Sequence, residues 1–194
     1  MSPRDDLQDR ELLRRIAQRD RRALERLYLA YQPRLMQFLG RLCSQRETLE
    51  EAVNDTFWTV WQKADEFRGA SRVSTWLIGI AWRQALKGLR RNGDAAVERL
   101  TESAAAEPVA RETLLDDERE QWLGQGLATL PLEQRATLEL AYFVGHSCQE
   151  IADIMGCPVN TVKARMFQAR LKLRNLLPKL EGIEEPTPLR GNQT

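Results

Sequence analysis

The chain has 194 residues but only one histidine, His146, and three scattered cysteines, Cys43, Cys148 and Cys157. A single imidazole excludes a multi-histidine metal centre and argues against histidine-based catalysis. The cysteines are too few and too dispersed for a disulfide framework. His146, Cys148 and Cys157 together would leave a tetrahedral zinc site one ligand short, so packing is the expected role of the last two. A glycine-rich phosphate loop and a Ser/His/Asp set are also lacking, so no enzymatic activity, catalytic residue, metal, cofactor or small-molecule substrate is expected. No run approaches the roughly 20 apolar residues that span a bilayer. Residues 1–15 are charged, without the apolar core of a signal peptide, so a cytoplasmic location is expected. Nor is there an excess of one charge: 29 Lys+Arg face 28 Asp+Glu, a net of +1. This excludes a uniformly basic nucleic-acid binder but leaves segregated basic patches open.

What is present reads as helix almost throughout. Glycine and proline are sparse in the long segments, and no stretch alternates with period two. Leu12, Leu13, Ile16 and Ala17 form a short amphipathic stripe. A second stripe runs through Leu24, Leu27, Tyr28, Tyr31, Leu35, Phe38, Leu39 and Leu42. Pro33 lies inside it and predicts a kink or break. Thr48 with Glu51 has the spacing of a capping box and predicts a helix start there. Ser74 or Thr75 is expected to cap the helix that runs to Arg91 and stops at Asn92-Gly93.

Between Asp94 and Glu120 the character changes. Asp94, Glu98, Glu102, Glu107, Glu112, Asp116, Asp117, Glu118 and Glu120 face only Arg99, Arg111 and Arg119. The expected architecture is therefore all-α: two small helical domains joined by a flexible acidic linker, the C-terminal one a helix-turn-helix. The expected boundaries are 1–93, 94–119 for the linker, 120–180, and a disordered tail at 181–194.

The second domain carries the clearer motif. Pro131 opens a helix expected to run through Leu138, Leu140, Ala141 and Val144 to Gly145. Ser147 and Glu150 form a capping box before a short helix that Gly156 ends, and Pro158 then opens a long helix. In that helix Val162, Met166, Ala169 and Leu173 share an inward face. Asn160, Lys163, Ala164, Phe167, Gln168 and Leu171 lie opposite, with Arg165 and Arg170 on the flanks. From Val159 to Lys179 there are six cations and no acid: Lys163, Arg165, Arg170, Lys172, Arg174 and Lys179. Cations for phosphates with amide and small side chains for base edges are what a major-groove helix needs.

The first domain interleaves aromatic and basic residues. Trp58, Trp61, Trp76 and Trp82 lie among Phe57, Phe67, Arg68, Arg72, Arg83, Lys87, Arg90 and Arg91. Such a mixture can stack on unpaired bases and hold a single strand. Trp61 and Trp76 fall on apolar stripes and are expected in the core, while Phe67 and Trp82 are the surface candidates. Glu47, Glu50, Glu51, Asp55, Asp65 and Glu66 oppose only Lys63, which leaves an acidic face: a solvated surface or a protein-docking one.

In order and spacing, the motifs over 8–178 resemble the bacterial sigma factors of the extracytoplasmic-function (ECF) group. The segment Glu51–Trp61 resembles the helix with which these factors grip the clamp helices of core RNA polymerase, which implies contacts by Glu51, Asn54, Asp55 and Trp58. Phe67-Arg68-Gly69, Ser74–Ala81 and Leu89-Arg90-Arg91 resemble the melting and −10 region. The resemblance implies that the Phe67–Thr75 loop captures an unpaired base, with Phe67, Arg68, Ser71, Arg72, Arg83, Lys87, Arg90 and Arg91 at the −10 DNA. Leu130-Pro131, Gln134-Arg135, Glu150–Gly156 and Thr161–Arg165 resemble the −35-reading domain. This implies duplex contacts by Asn160, Thr161, Lys163, Ala164, Arg165, Phe167, Gln168 and Arg170. The partners so implied are core RNA polymerase, promoter DNA in duplex and single-stranded form, and an anti-sigma factor, often membrane-anchored in this group. The chain departs from common family residues at Arg83 (often Asn), Lys87 (often Asp), Asn160 (often Gly) and Gln168 (often Arg). An ordinary helix-turn-helix regulator is the alternative, and binding to core polymerase separates the two.

Overall fold

The computed structural model describes residues 3–43, 45–91 and 124–180. The expected linker at 94–119, the Asn92-Gly93 stop and the tail at 181–194 lie outside the described residues. Every regular element among those described is helical. Helices α1 (Pro3–Ala17), α2 (Arg21–Gly40), α3 (Arg46–Lys63) and α4 (Val73–Arg91) form the N-terminal half. A 3₁₀ turn at Ala64–Glu66 follows α3. The C-terminal half holds a helical stretch at 124–128, then α5 (Leu132–Leu138), a π-helical turn (Glu139–Phe143), α6 (Cys148–Met155) and α7 (Val159–Leu180).

The predicted stripes face inward. Leu13, Ile16, Leu27, Tyr31, Leu35, Phe38, Leu39 and Leu42 are buried, with Leu12, Leu24 and Tyr28 packed beside them, while Ala17 is exposed. On α4, Leu77, Ile80, Ala81, Ala85 and Leu89 are buried, and Arg83, Lys87, Arg90 and Arg91 stand exposed along the other edge.

Several helix boundaries differ from the sequence expectation. Helix α2 runs unbroken through Pro33. Pro33 is exposed, so the backbone it leaves unbonded meets solvent rather than apolar core. Helix α3 begins at Arg46, with Gln45 at the cap position. Thr48 is buried inside its first turn and donates its hydroxyl to Gln45 Oε1 at 3.2 Å. Helix α4 begins at Val73, and Ser74 and Thr75 are buried within it. Its cap comes from another helix: Asp6 of α1 accepts the Val73 N–H at 2.8 Å. Helix α5 does not continue in α geometry to Gly145. It widens into the π turn after Leu138, and Val144 is exposed. The capping box of Ser147 and Glu150 forms, and Gly156 ends α6 at φ 65°, a left-handed conformation that favours glycine.

The two halves are not independent. Helix α6 packs on α4, and one apolar cluster joins Ile78, Ile80, Ala81 and Trp82 of α4 to Ile151, Ala152 and Ile154 of α6. Gly79 permits the approach: a Cβ there would stand 3.6 Å from the Ile154 Cα. Trp82, expected at the surface, is 3% exposed and lies within this shared cluster.

Candidate nucleic-acid interface

Helix α7 displays the face that its periodicity predicts. Val162 and Ala169 are fully buried, with Met166 and Leu173 packed beside them. Asn160, Lys163, Ala164, Phe167, Gln168 and Leu171 are all exposed, Phe167 at 69%. An aromatic ring held that far into solvent gains nothing from the core, so its place suits a contact with another molecule. Thr161, half-buried, lies at the start of the helix. The turn Gly156-Cys157-Pro158 sets α7 after the capped α6, the geometry of a helix-turn-helix.

The cations of α7 divide into two groups. Arg165 is held by the Glu133 carboxylate of α5 and also donates to Cys157 Sγ at 3.4 Å. Arg170 donates to the Tyr142 hydroxyl and lies over that ring. Lys163, Lys172 and Arg174 take no part in the ion pairs found among the described residues. These three are therefore available for phosphates without breaking a contact, whereas Arg165 and Arg170 are oriented in advance. Gln168 accepts a hydrogen bond from Gln134 Nε2 at 3.1 Å.

The loop between the 3₁₀ turn and α4 is organised by α1. Arg10 donates to the carbonyls of Gly69 (3.3 Å) and Ser71 (3.0 Å) and pairs with Asp6 at 2.7 Å. It also lies over the Phe67 ring, which is tilted against Trp76 at 5.4 Å between centroids. Phe67, Trp76 and Trp61 are half-buried, and Arg68 is exposed. Arg83 is exposed along the α4 edge, although nearby packing pushes its guanidinium below its ordinary value. Arg72 turns away from this loop's outer surface and pairs with Glu150 of α6 at 2.5 Å. On α3, Asn54 is exposed, Asp55 half-buried and Trp58 60% exposed. Glu51 pairs with Arg91 of α4, so two candidate contacts of different partners neutralise each other.

Two family models match the chain: Sigma-70 region 2 over 27–94 and Sigma-70 region 4 over 120–173. The chain is 31% identical to the RNA polymerase sigma-H factor of Pseudomonas aeruginosa over 184 residues, 89% of this chain and 95% of that one. It is 32% identical to the ECF RNA polymerase sigma factor RpoE of Cereibacter sphaeroides over 157 residues, 80% of this chain and 87% of that one. The chain belongs to the ECF sigma factors. Among solved structures, this sigma factor is similar to RpoE of Bartonella quintana in complex with the anti-sigma factor NepR: TM-score 0.62, 26% identity, covering 83% of this chain and 98% of that one. It shares the fold of CnrH, solved with the cytosolic domain of CnrY, at a TM-score of 0.66 and 24% identity, over 89% of this chain and 98% of that one. No helix among the described residues of the sigma factor is long and apolar enough to cross a membrane.

The sequence reading missed a polar cluster where the two halves meet. Glu139 is 2% exposed and accepts from Arg41 of α2 at 2.9 Å. Burial raises its carboxyl above the ordinary range against the pull of Arg41 and Arg135. Arg135 donates to the Arg41 carbonyl, and burial lowers its guanidinium. His146 lies beside a groove edged by Arg34, Phe38, Arg41, Arg72 and Phe143. Its Nδ1 stands 3.7 Å from Glu150 Oε2, too far for a hydrogen bond. Burial lowers its pKa below the ordinary imidazole value. The one sequence signal for this cluster is Glu139 itself, an acid on the apolar run Leu138 to Leu140. A carboxylate there needs a cation from elsewhere in the fold.

Proposed function

We propose that this sigma factor, bound to core RNA polymerase, reads the −35 duplex with the outer face of α7 and the melted −10 strand with the loop and basic edge of α4. The α7 face carries the reading: one exposed surface combines the amides of Asn160 and Gln168, the small Ala164 and the aromatic Phe167 with Lys163, which takes no part in the ion pairs among the described residues, and carries no acid. Phosphate contacts fall to Lys163, Arg165 and Arg170, and base-edge contacts to Asn160, Ala164, Phe167 and Gln168, with Thr161 at the helix start. In the N-terminal half, Phe67, Arg68 and Ser71 surround the captured base, and Arg83, Lys87 and Arg90 hold the strand. Arg72 and Arg91 join them after leaving Glu150 and Glu51. Asn54, Asp55, Trp58 and the freed Glu51 dock on the polymerase clamp helices. The domain boundaries are 1–93 and 120–180, with 94–119 linking them.

An anti-sigma factor is the partner that holds the protein off, in keeping with its likeness to the NepR-bound RpoE. The packed arrangement suits such control. The −35 and −10 elements, about 25 base pairs apart, are about 85 Å apart along a straight duplex at 3.4 Å per base pair. A chain with α6 lying on α4 cannot span that distance, so promoter engagement requires the two halves to part.

Run-off transcription with bacterial core polymerase tests the reading. The expected result is promoter-specific transcripts that need both core and this protein. Tight, sequence-specific duplex binding by the free protein, with no affinity for core, would overturn it.

A further inference from the structure

We infer that Gln134 of α5 sets the base preference of the −35 helix by fixing which end of the Gln168 amide faces the DNA. The inference rests on the base-reading role proposed for Gln168.

A glutamine amide is ambivalent. Its NH₂ end donates and its oxygen accepts, and a free side chain can present either one to a base edge. Gln168 is exposed on α7, with nothing in its own helix to choose between them. The choice comes from across the domain. Gln134 Nε2 donates to Gln168 Oε1 at 3.1 Å, between residues 34 positions apart. Turning both amides around would also make one hydrogen bond, but the surroundings of Gln134 decide against it. Its Oε1 is enclosed and has no hydrogen-bond partner among the described residues. In the reversed arrangement that enclosed position would hold an NH₂ with two unsatisfied donors, which costs more than one unpaired carbonyl oxygen. Gln134 therefore donates and Gln168 accepts, which leaves the Gln168 NH₂ as the outward group.

The preceding residue of α5 acts on the same face. Glu133 holds Arg165, one turn before Gln168 on α7. The first turn of α5 thus sets the orientation of two neighbouring side chains of the recognition helix, one by charge and one by a directional amide contact.

An outward NH₂ suits base edges that offer acceptors: purine N7, guanine O6 and thymine O4. Adenine remains readable through N7, with its N6–H₂ reaching the second lone pair of Gln168 Oε1. Cytosine, whose major-groove edge offers the N4–H₂ donor, is disfavoured. Replacing the Gln134 donor by an acceptor should reverse this. In Gln134→Glu, the carboxylate draws the Gln168 NH₂ toward itself and turns Oε1 outward, toward cytosine N4 or adenine N6.

The test is selection by the full holoenzyme from a library of duplex promoters with randomised −35 positions, comparing wild type, Gln168→Ala, Gln134→Leu and Gln134→Glu. Gln168→Ala identifies the position read. There, Gln134→Leu should reduce the guanine-over-cytosine preference about tenfold, the size of one good base contact, with other positions unchanged. Gln134→Glu should invert the preference. A structural role would instead lower the melting temperature and weaken every sequence alike. Uniform weakening by Gln134→Leu, or an unchanged base ratio in Gln134→Glu, would overturn the inference while leaving Gln168 a reader. An unchanged profile in Gln168→Ala would overturn the base-reading role itself, and the inference with it.

Discussion

Arg72 and Glu150, 78 positions apart, join the N-terminal half to the helix-turn-helix through a guanidinium–carboxylate contact at 2.5 Å, and Thr75 donates to the same carboxylate oxygen at 3.2 Å. Glu150 also closes the capping box of α6. One side chain therefore starts the helix-turn-helix and fastens it to α4. Glu150→Gln keeps the capping geometry and removes the charge. It should weaken the closed arrangement by about 1–2 kcal/mol, as should Arg72→Ala. Small-angle scattering of the free protein would report a larger radius of gyration in both variants. An unchanged radius would mean that apolar packing around Ile154 holds the halves together without the ion pair.

The same junction should respond to acid in two separate ranges. Burial alone would raise the Glu150 carboxyl, but hydrogen bonds from Ser147 and Arg72 outweigh it and hold it at about 2, against an ordinary 4.5. Its contribution is complete above about 4.5 and fades as pH falls through 2. His146 is lowered from 6.5 by burial, so its contribution is complete above 6.5 and fades as pH falls through its folded value. Between pH 7 and 5, then, His146 should remove stability while Glu150 contributes no change, and the raised Glu139 carboxyl acts in the opposite sense, so the variant comparison isolates His146. Thermal melting across this range should show a flatter limb for His146→Gln. An equal slope in the variant would remove His146 as the source.

On α3, Trp58 is 60% exposed and Asp55 half-buried on the face away from Val53, Phe57 and Val60. Asp55→Lys and Trp58→Ala should each reduce affinity for core polymerase at least tenfold and leave melting temperature nearly unchanged, because neither side chain is in the core. A pull-down titration with core polymerase reads this directly, and wild-type affinity in either variant would take that residue out of the interface.

Arg10 holds two carbonyls of the loop before α4 and lies over Phe67. Arg10→Ala should slow open-complex formation while sparing core binding and −35 selection. Arg10→Lys should not restore it, because a single ammonium cannot reproduce the guanidinium fork. Permanganate reactivity of promoter thymines would follow the opening, and wild-type rates in Arg10→Ala would show that the loop keeps its shape unaided.

Arg83→Ala should also reduce opening on duplex promoters, with much of the loss restored on a template already unpaired through the −10 region. Full permanganate reactivity at wild-type rates on duplex DNA would reject a melting role for the α4 edge.

Much of this molecule was legible before the fold was known. The inward and outward faces of α7, the basic edge of α4 and the Ser147–Glu150 cap were all read correctly from spacing, because residues three and four apart share a helix face whatever the rest of the chain does. Reading failed where a residue's surroundings come from another element. Trp82 looked exposed beside Arg83 but is buried in the apolar cluster that the helices share. Thr48, Ser74 and Thr75 looked like caps but lie inside helices that start earlier. In α4 that start is stabilised by Asp6, 67 positions away. Pro33 predicted a kink or a break, and the helix is not broken there: it passes through with Pro33 on the solvent side.

By itself the sequence determined a helical protein, a capped helix-turn-helix with its exposed reading face, and a resemblance to the ECF sigma factors, since these rest on local periodicity, capping chemistry and motif order. Only the tertiary structure decided which cations are free for DNA. Among the described residues Lys163, Lys172 and Arg174 take no part in the ion pairs, whereas Arg72, Arg91, Arg165 and Arg170 are held by groups on other elements. It also decided that the two halves share a core. The reason is one of range: helix formation draws on neighbours within a turn, while pairing and burial depend on which distant surfaces meet.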